Sequence, residues 1–530
     1  VSTEANLNGF FDTMLEELSS LSCVDDKTSF ARDRLVQRAR KRARFNVKGL
    51  IESAINNFAD INDAVGKTSI TVDDRVLSNA RYYITIVLER FTKSIYPEVI
   101  QTPLDLRYLC ENWRFGPGAS NGIKGSHTAE KLVQDMTCTA RSVPLVRMIR
   151  DCNPYMFLND EMTGLGTSVI SGSRLTTVPK NEDTVRTIAI EPSGNMVLQL
   201  AAGAYLEGAL RNTGLNIRDQ QPKNKLMAKR GSIDGSFATI DLKSASDMIS
   251  ISLVRALMPS DWFDLLMAIR SNEMDLPDGR RVTLNMISTM GNGFTFPLMT
   301  LLLCGLIYGY RATRGGPSLY LDWDRTCVYG DDIIIPHNEY DDICDLLARA
   351  GLVVNKDKSY SDGPFRESCG GDYYEGYDVT PFYVKSLNTP AEIYVAMNQV
   401  LDWSARNNLF LYRSLAFLHR CLDYKVFLVP EWMNPDQGVL TARCSRRYSY
   451  LQVMPVRRRL RPSSYDMMLA VGGYLLGSDA DLFYTPRTNR PRHKVRKSRL
   501  PQGYRDGSDP LKRSELLTLR VSHFIEILLG

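Results

Sequence analysis

Apolar residues recur every three or four positions over Phe10–Leu21, Ala31–Ile55 and Val76–Tyr96. That period predicts amphipathic helices and makes residues 1–110 mainly helical. The period stops at Arg114-Phe115-Gly116-Pro117-Gly118-Ala119-Ser120, where two glycines and a proline predict a shaped loop. Short β-like runs follow at Leu175–Pro179 and Val185–Ile190, and Asn195–Leu210 reads as an apolar helix. Phe237-Ala238-Thr239-Ile240 predicts a strand ending at Asp241, with a helix from near Ser244 through Ile249, Leu253, Val254 and Leu257. Pro277-Asp278-Gly279 predicts a hairpin turn leading to Val282-Thr283, and Phe294–Tyr310 a buried helix. Thr326–Ile335 predicts a tight hairpin, and Asp341–Ala350 a helix closed by Gly351. Beyond about residue 400 the pattern predicts helices and loops. Strands mixed with helices at irregular spacing fit an α+β layout better than an alternating parallel sheet.

At 530 residues the chain is longer than one core usually serves, so several substructures are expected. Its ten cysteines are scattered, with no C-x-x-C pair and no histidine at ligand spacing, which argues against a zinc site and for reduced thiols in a cytosolic protein. The N-terminal stretch Val1–Glu17 is acidic and lacks a signal-like apolar core. The longest apolar run, Phe294–Tyr310, is interrupted by Pro297 and Gly305 and is short for a membrane span.

The net charge of +5 is mild, but its distribution is uneven. Arg32, Arg34, Arg38, Arg40, Lys41, Arg42, Arg44 and Lys48 form one cluster. Arg457-Arg458-Arg459, Arg461, Arg487, Arg490, Arg492, Lys494, Arg496, Lys497 and Arg499 form another. Such clusters suit a polyphosphate ligand, and equally suit a solvated helix face or tail.

Candidate chemistry concentrates at Tyr329-Gly330-Asp331-Asp332, where paired acids occupy a turn between the apolar runs Thr326-Cys327-Val328 and Ile333-Ile334-Ile335. Charged oxygens at a strand end suit a hard divalent cation. If the strand ending at Asp241 lies beside this hairpin, Asp241, Asp331 and Asp332 converge. Three such carboxylates repel one another and resist full ionisation until a cation neutralises them. Two Mg²⁺ ions would satisfy that charge and support in-line phosphoryl transfer, one activating the attacking hydroxyl and the other steadying the leaving pyrophosphate. Mn²⁺ accepts the same oxygen donors. Asp247 has two readings: Ser244-x-x-Asp247 is a capping-box pattern, or Asp247 contacts the ribose of a nucleotide.

Longer segments carry a family resemblance. They are Thr177-Val178-Pro179-Lys180-Asn181; Arg186 with Ile188-Ala189-Ile190-Glu191-Pro192 and Asn195-Met196; Ala238–Leu242; Ser244–Asp247; and Ser288-Thr289-Met290-Gly291-Asn292-Gly293-Phe294-Thr295-Phe296. Beyond the hairpin come Gly363-Pro364-Phe365-Arg366-Glu367-Ser368-Cys369-Gly370 and Asp378–Tyr383. In order and spacing, over about residues 110 to 385, the chain resembles the catalytic β subunits of positive-strand RNA bacteriophage replicases, the levivirus group that includes Qβ.

The resemblance implies a right-hand polymerase whose antiparallel palm sheet is flanked by helices. Residues 1–190 would be mainly fingers and an N-terminal helical region, 191–250 the first part of the palm, and 251–285 a fingers insertion. Residues 286–400 would be the second part of the palm, and 401–530 the thumb and basic C-terminal region. It implies RNA synthesis on an RNA template, started without a primer, in the cytoplasm of a bacterial host. Asp241, Asp331 and Asp332 match the family's metal-binding aspartates. Lys180 and Arg186 match the finger segment that meets the incoming triphosphate, where cations offset phosphate charge. Asp247, Ser288, Gly291 and Asn292 fall in nucleotide-binding positions, and Gly293, Arg366 and Glu367 in RNA-binding ones. The Gly291–Gly293 loop is also readable as a simple turn, and Arg366 and Glu367 as a pair bonded to each other. Lys358 matches a lysine that protonates leaving pyrophosphate, with Lys356 close enough to compete for the role. RNA template and product and ribonucleoside triphosphates are the implied partners, with host elongation factors Tu and Ts, a host ribosomal protein and an RNA chaperone; neither membrane nor DNA is expected.

A reverse transcriptase shares the paired-acid hairpin, but those enzymes resemble one another in a bulky Phe or Tyr after the first aspartate. Ser244-Ala245-Ser246 is small throughout and leaves room for a ribose 2′-hydroxyl. A non-catalytic RNA-binding scaffold would keep the basic clusters without needing three acids at a metal site.

Overall fold

The computed structural model describes residues 3–42, 47–99, 102–125, 128–132, 134–153, 166–181, 184–316, 320–422, 426–442, 444–445, 447–454, 457–459, 484–486 and 492–499. Helix and sheet are mixed, and contacts divide the chain into two compact units. One comprises Asn46–Gly370 with Arg459–Tyr484; the other comprises Val1–Phe45, Gly371–Arg458 and Thr485–Gly530. The helical N-terminus, grouped from sequence with residues up to 190, thus divides at residue 45.

The larger unit is built on three helices, Asp74–Ile95, Ser193–Asn212 and Thr295–Ala312, whose apolar faces share one core. Asp73 starts the first by accepting from Arg75 N–H, and Val76, Ala80, Tyr83, Ile84, Val87 and Phe91 then give it a buried stripe at helical spacing. Phe91, Tyr108, Tyr205 and Trp262 meet edge to face with centroids 4.8 to 5.8 Å apart, and Trp262 satisfies its indole N–H on the Pro103 carbonyl at 2.6 Å. Thr295–Ala312 is apolar on all sides and long enough by composition to cross a membrane, yet it is 83% buried inside the unit. A core helix needs no polar face.

Two of this unit's sheets position the site. In the first, Asp332–Pro336 is the middle strand between Phe237–Ile240 and Cys327–Tyr329, all antiparallel. Ile333, Ile334 and Ile335 are fully buried, which explains their unbroken apolar run. The second sheet joins the hairpin Ser173–Asn181 and Thr184–Ile190 to a smaller hairpin, Glu273–Asp275 with Arg281–Thr283.

The helix expected from Ser244 begins later, at Ile251, with Ser250 as N-cap accepting from Leu253 N–H at 3.0 Å. Ser244 adopts a φ of 48°, and residues 243–248 form turns. A left-handed residue cannot open a right-handed helix.

In the smaller unit, helix Thr3–Ser20 packs on helix Tyr412–Arg420, with Phe10 6.4 Å from Phe417. Buried Glu17 accepts from the backbone N–H groups of Arg413 and Ser414 at 2.7 and 2.9 Å and from the Ser414 hydroxyl at 2.7 Å. Leu411, the residue before that helix, offers no side-chain cap, so a distant carboxylate satisfies its first turn. Helix Pro390–Asn407 opens with a full capping box from Thr389 and Glu392. The region beyond residue 400 holds strands as well as helices: Leu428–Pro430 pairs in parallel with Val439–Thr441, and Arg447–Met454 pairs antiparallel with Arg492–Arg499.

Of the N-terminal basic cluster, Arg34 bonds Asp372 at 2.8 Å, Arg38 stacks over Tyr383 at 4.8 Å, and Arg32 pairs with Asp33 at 2.9 Å. Arg44, Arg461, Arg487 and Arg490 lie outside the described residues.

Candidate active site

The hairpin tip is a two-residue turn, because Tyr329 pairs directly with Asp332. Gly330 takes the first turn position with φ 60°, the place a II′-type hairpin gives to glycine. A Cβ there would also meet the Phe296 ring at 2.4 Å. Gly330 N–H donates to the Thr300 hydroxyl at 3.1 Å, and the Tyr329 ring sits edge-on to Phe296 at 4.7 Å. The buried helix therefore holds the turn that carries Asp331.

Asp241 follows directly on Ile240, which lies opposite Ile333 in the sheet. The register puts Asp241 beside the paired acids. Its N–H donates to Ser359 Oγ at 3.1 Å, its carbonyl accepts from Asn355 N–H at 2.8 Å, and its Oδ2 accepts from Asn355 Nδ2 at 2.7 Å. Burial pushes the Asp241 carboxyl up to about 6; the Asn355 bond and Lys358 oppose that rise, while Asp331 and Asp332 add to it. Burial also raises Asp332, whose Oδ1 accepts from Cys369 N–H at 3.1 Å and the Ser368 hydroxyl at 3.2 Å.

A cavity of about 730 Å³ opens beside these groups. Arg186, Asp241, Asp247, Gly291, Asn292, Asp331 and Lys358 all line it, together with Lys243, Asn355 and one face of helix Val47–Lys67. Ala189 N–H donates to the Met290 carbonyl at 2.8 Å, docking the strand that carries Arg186 on the loop that carries Gly291 and Asn292. Gly291 is needed there: its φ is 105°, and a Cβ would lie 2.3 Å from the Ala189 carbonyl oxygen.

Asp247 is not a helix cap. Its N–H bonds the Ser244 carbonyl within the turn, while its carboxylate accepts from Ser246 at 3.2 Å. Burial pushes this carboxyl up to about 6 as well. Lys358 lines the cavity, whereas the exposed Lys356 does not. Lys180 lies on strand Ser173–Asn181, with its side chain outside the described residues.

Other expected residues sit elsewhere. Ser288 is buried, its hydroxyl lacks a hydrogen-bond partner among the described residues, and it does not line the cavity. Gly293 packs against helix Ser193–Asn212, where a Cβ would meet Leu200 N at 2.8 Å, so close helix packing accounts for it. Arg366 is 1% exposed and donates to the carbonyls of Phe237 (2.7 Å), Asp362 (3.2 Å), Gly363 (2.9 Å), Phe365 (2.7 Å) and Ser361. The expectation of an RNA contact is corrected for Arg366: its guanidinium is spent on backbone inside the fold. Glu367, partly buried on strand Phe365–Ser368, does not line the cavity either.

Sequence reasoning missed Asn355, the cavity wall from Val47–Lys67, and the Ser368–Cys369 clasp on Asp332. Asn355 has no local signal, since its role depends on a partner 114 residues away.

Among the described residues no three His, Cys, Asp or Glu side chains form a ready metal cage. Mg²⁺ seldom uses one; it keeps waters and binds through one or two carboxylates plus substrate phosphates. Asp241 and Asp331 on one cavity wall, with Asp332 adjacent, fit that requirement.

The family described as RNA replicase, beta-chain, matches residues 30–449. The RNA-directed RNA polymerase subunit beta of Escherichia virus Qbeta is 38% identical over 299 residues, 56% of this chain and 49% of that protein. The RNA-directed RNA polymerase beta chain of Enterobacteria phage fr is 32% identical over 371 residues, 67% of each chain. The chain thus spans about half the length of the Qbeta relative. Among solved structures, the RNA-dependent RNA polymerase of a human picorbirnavirus aligns with a TM-score of 0.48 and 10% identity, covering 80% of this chain and 82% of that one.

Proposed function

The chain belongs to the RNA replicase beta-chain family, and from that premise we propose that its cavity synthesises RNA on an RNA template from ribonucleoside triphosphates. In this reading the three-stranded sheet is a palm, the sheet bearing Arg186 belongs to the fingers, and residues beyond about 400 contribute a thumb. The observation that carries it is the gathering of Arg186, Asp241, Asp331 and Lys358 on one cavity. Cations and carboxylates face each other there as a triphosphate with bound metal requires.

Two Mg²⁺ ions, bound by Asp241 and Asp331 with Asp332 beside them, would supply Lewis-acid activation of the attacking hydroxyl and charge neutralisation of the pyrophosphate. Arg186 binds and orients the triphosphate. Lys358 holds a proton for the departing phosphate oxygen. Ser244, Ala245 and Ser246 leave space for a ribose 2′-hydroxyl, and Asp247 accepts a hydrogen bond from the sugar. Synthesis begins without a primer, copying a positive-strand phage genome in the bacterial cytoplasm, with elongation factors Tu and Ts, a ribosomal protein and an RNA chaperone as host partners.

The test is unprimed, RNA-templated incorporation of ribonucleotides by the chain co-purified with bacterial elongation factors. Parent activity that requires Mg²⁺, rejects deoxyribonucleotides and falls by about 10²-fold or more in Asp331→Asn supports the reading. Equal activity in parent and mutant would remove the carboxylates from the chemistry. RNA binding without synthesis, even with host lysate added, would indicate a scaffold.

A further inference from the structure

The antiparallel ribbon formed by Arg447–Met454 and Arg492–Arg499 belongs to the smaller unit and contributes no residue to the cavity. Its two strands hold six Lys or Arg residues and no Asp or Glu. Arg447 lies directly opposite Arg499, a like-charge pair that costs stability in an isolated ribbon. Arg447, Lys494, Arg496, Lys497 and Arg499 are exposed, and no ion pair engages them among the described residues.

The ribbon has two distinct faces. One face is covered at Leu451, which is 1% exposed although Val495 opposite it is 53% exposed, and at the ribbon's edge the Leu451 N–H donates to the Gln437 carbonyl at 2.8 Å. Side chains alternate along a strand, so Tyr448 and Tyr450 project from the opposite face, their centroids 6.1 Å apart. On that same face Arg496 lies opposite Tyr450 and Lys494 opposite Gln452. A row of two aromatic rings flanked by unpaired cations is the composition of a surface that stacks successive bases while neutralising the backbone between them.

We infer that this ribbon face binds single-stranded RNA, with Tyr448 and Tyr450 stacking on bases and Lys494 and Arg496 meeting phosphates. The inference rests on the polymerase reading for the identity of the polyanion. Duplex RNA fits poorly, because its bases are already stacked on one another and offer no face to a tyrosine.

The experiment measures fluorescence anisotropy of a labelled oligouridylate and of a matched RNA duplex with the full chain, in EDTA and over a salt series. Tyr450→Ala should weaken oligouridylate binding about tenfold while changing duplex binding less than about twofold, and Tyr450→Phe should restore the parent value. Arg496→Gln should lower the log–log salt slope by about 0.7. Unfolding curves verify that each variant is folded. Parent-like binding by both Tyr450→Ala and Arg496→Gln overturns the proposal, as does equal loss on single strands and duplex. Asp331→Asn, assayed in parallel for synthesis, separates the two readings. Lost synthesis there, with parent-like binding in the ribbon variants, sinks only the ribbon. Weakened binding in the ribbon variants, with no synthesis in the parent, leaves the ribbon standing and sinks the cavity reading.

Discussion

Asn355 donates its side-chain N–H to Asp241 Oδ2 at 2.7 Å, and this bond favours the ionised carboxylate against the burial that raises it. A metal-binding carboxylate must be deprotonated to bind. Replacing Asn355 with Ala removes the donor and moves the Asp241 carboxyl further above 6. The acid limb of the pH–rate profile should then shift up by about one to two pH units, with the rate recovering at alkaline pH. An unmoved limb, with activity reduced evenly at all pH values, would show that Asn355 does not tune Asp241.

Asp247 combines burial with a carboxyl pushed up to about 6 against a usual 3.8. Its folded-state value lies above the unfolded one, so the native state binds the proton more tightly. The ionised group therefore weakens the fold above pH 6, and the penalty fades as pH falls towards 4. Asp247→Asn should stabilise the metal-free protein by about 1–2 kcal/mol at neutral pH, allowing for the water its cavity position admits. Near pH 4 parent and variant should melt together. A gain that persists unchanged at pH 4 would contradict this account. The same variant should use ribonucleotides less efficiently, since the sugar then meets a neutral amide oxygen in place of a charged carboxylate, a weaker acceptor.

Arg366 offers a contrast between stability and binding. Arg366→Ala leaves several carbonyls unpaired inside the fold and should cost about 3–5 kcal/mol. RNA affinity per folded molecule should stay at the parent value, measured on protein whose folded fraction is known from denaturant titration. An RNA-binding defect with parent stability would restore Arg366 to the RNA surface.

Glu17 caps a helix that its own neighbour in sequence cannot cap. Glu17→Ala should destabilise the smaller unit by about 2 kcal/mol. Hydrogen exchange should speed up first at Arg413 and Ser414, and protection unchanged at those amides would disprove the capping role.

Features written in local sequence were the legible ones. The Gly-Asp turn between apolar runs specified its hairpin, and the long apolar run at 294–310 specified a core helix. The helix start near Ser244 misled because a capping pattern records residue types and not φ, and Ser244 is left-handed. Arg366 was illegible for another reason: an arginine shows its charge in sequence, but carbonyls that take its hydrogen bonds belong to every residue type. The strand pair Leu428–Pro430 and Val439–Thr441 is three residues on each side, too short to establish a period. The amphipathic stretch read over Ala31–Ile55 reaches only the first part of helix Val47–Lys67, short of Asn57, Phe58 and Ile61 on the cavity, and periodicity does not say what a helix's inner face meets.

The bond between Glu17 and Arg413 spans 396 residues. A ribosome adding about 5–20 residues per second needs about 20–80 s to cover that interval. Throughout it, the first helix has been made but lacks the partner that buries Phe10 and uses the Glu17 carboxylate. Residues 46–370, which carry the cavity, are complete before the partner exists. The helix that carries Glu17 therefore waits while residues 46–370 are made, and this helix pair of the smaller unit can close only once the chain has reached Arg413 and Ser414.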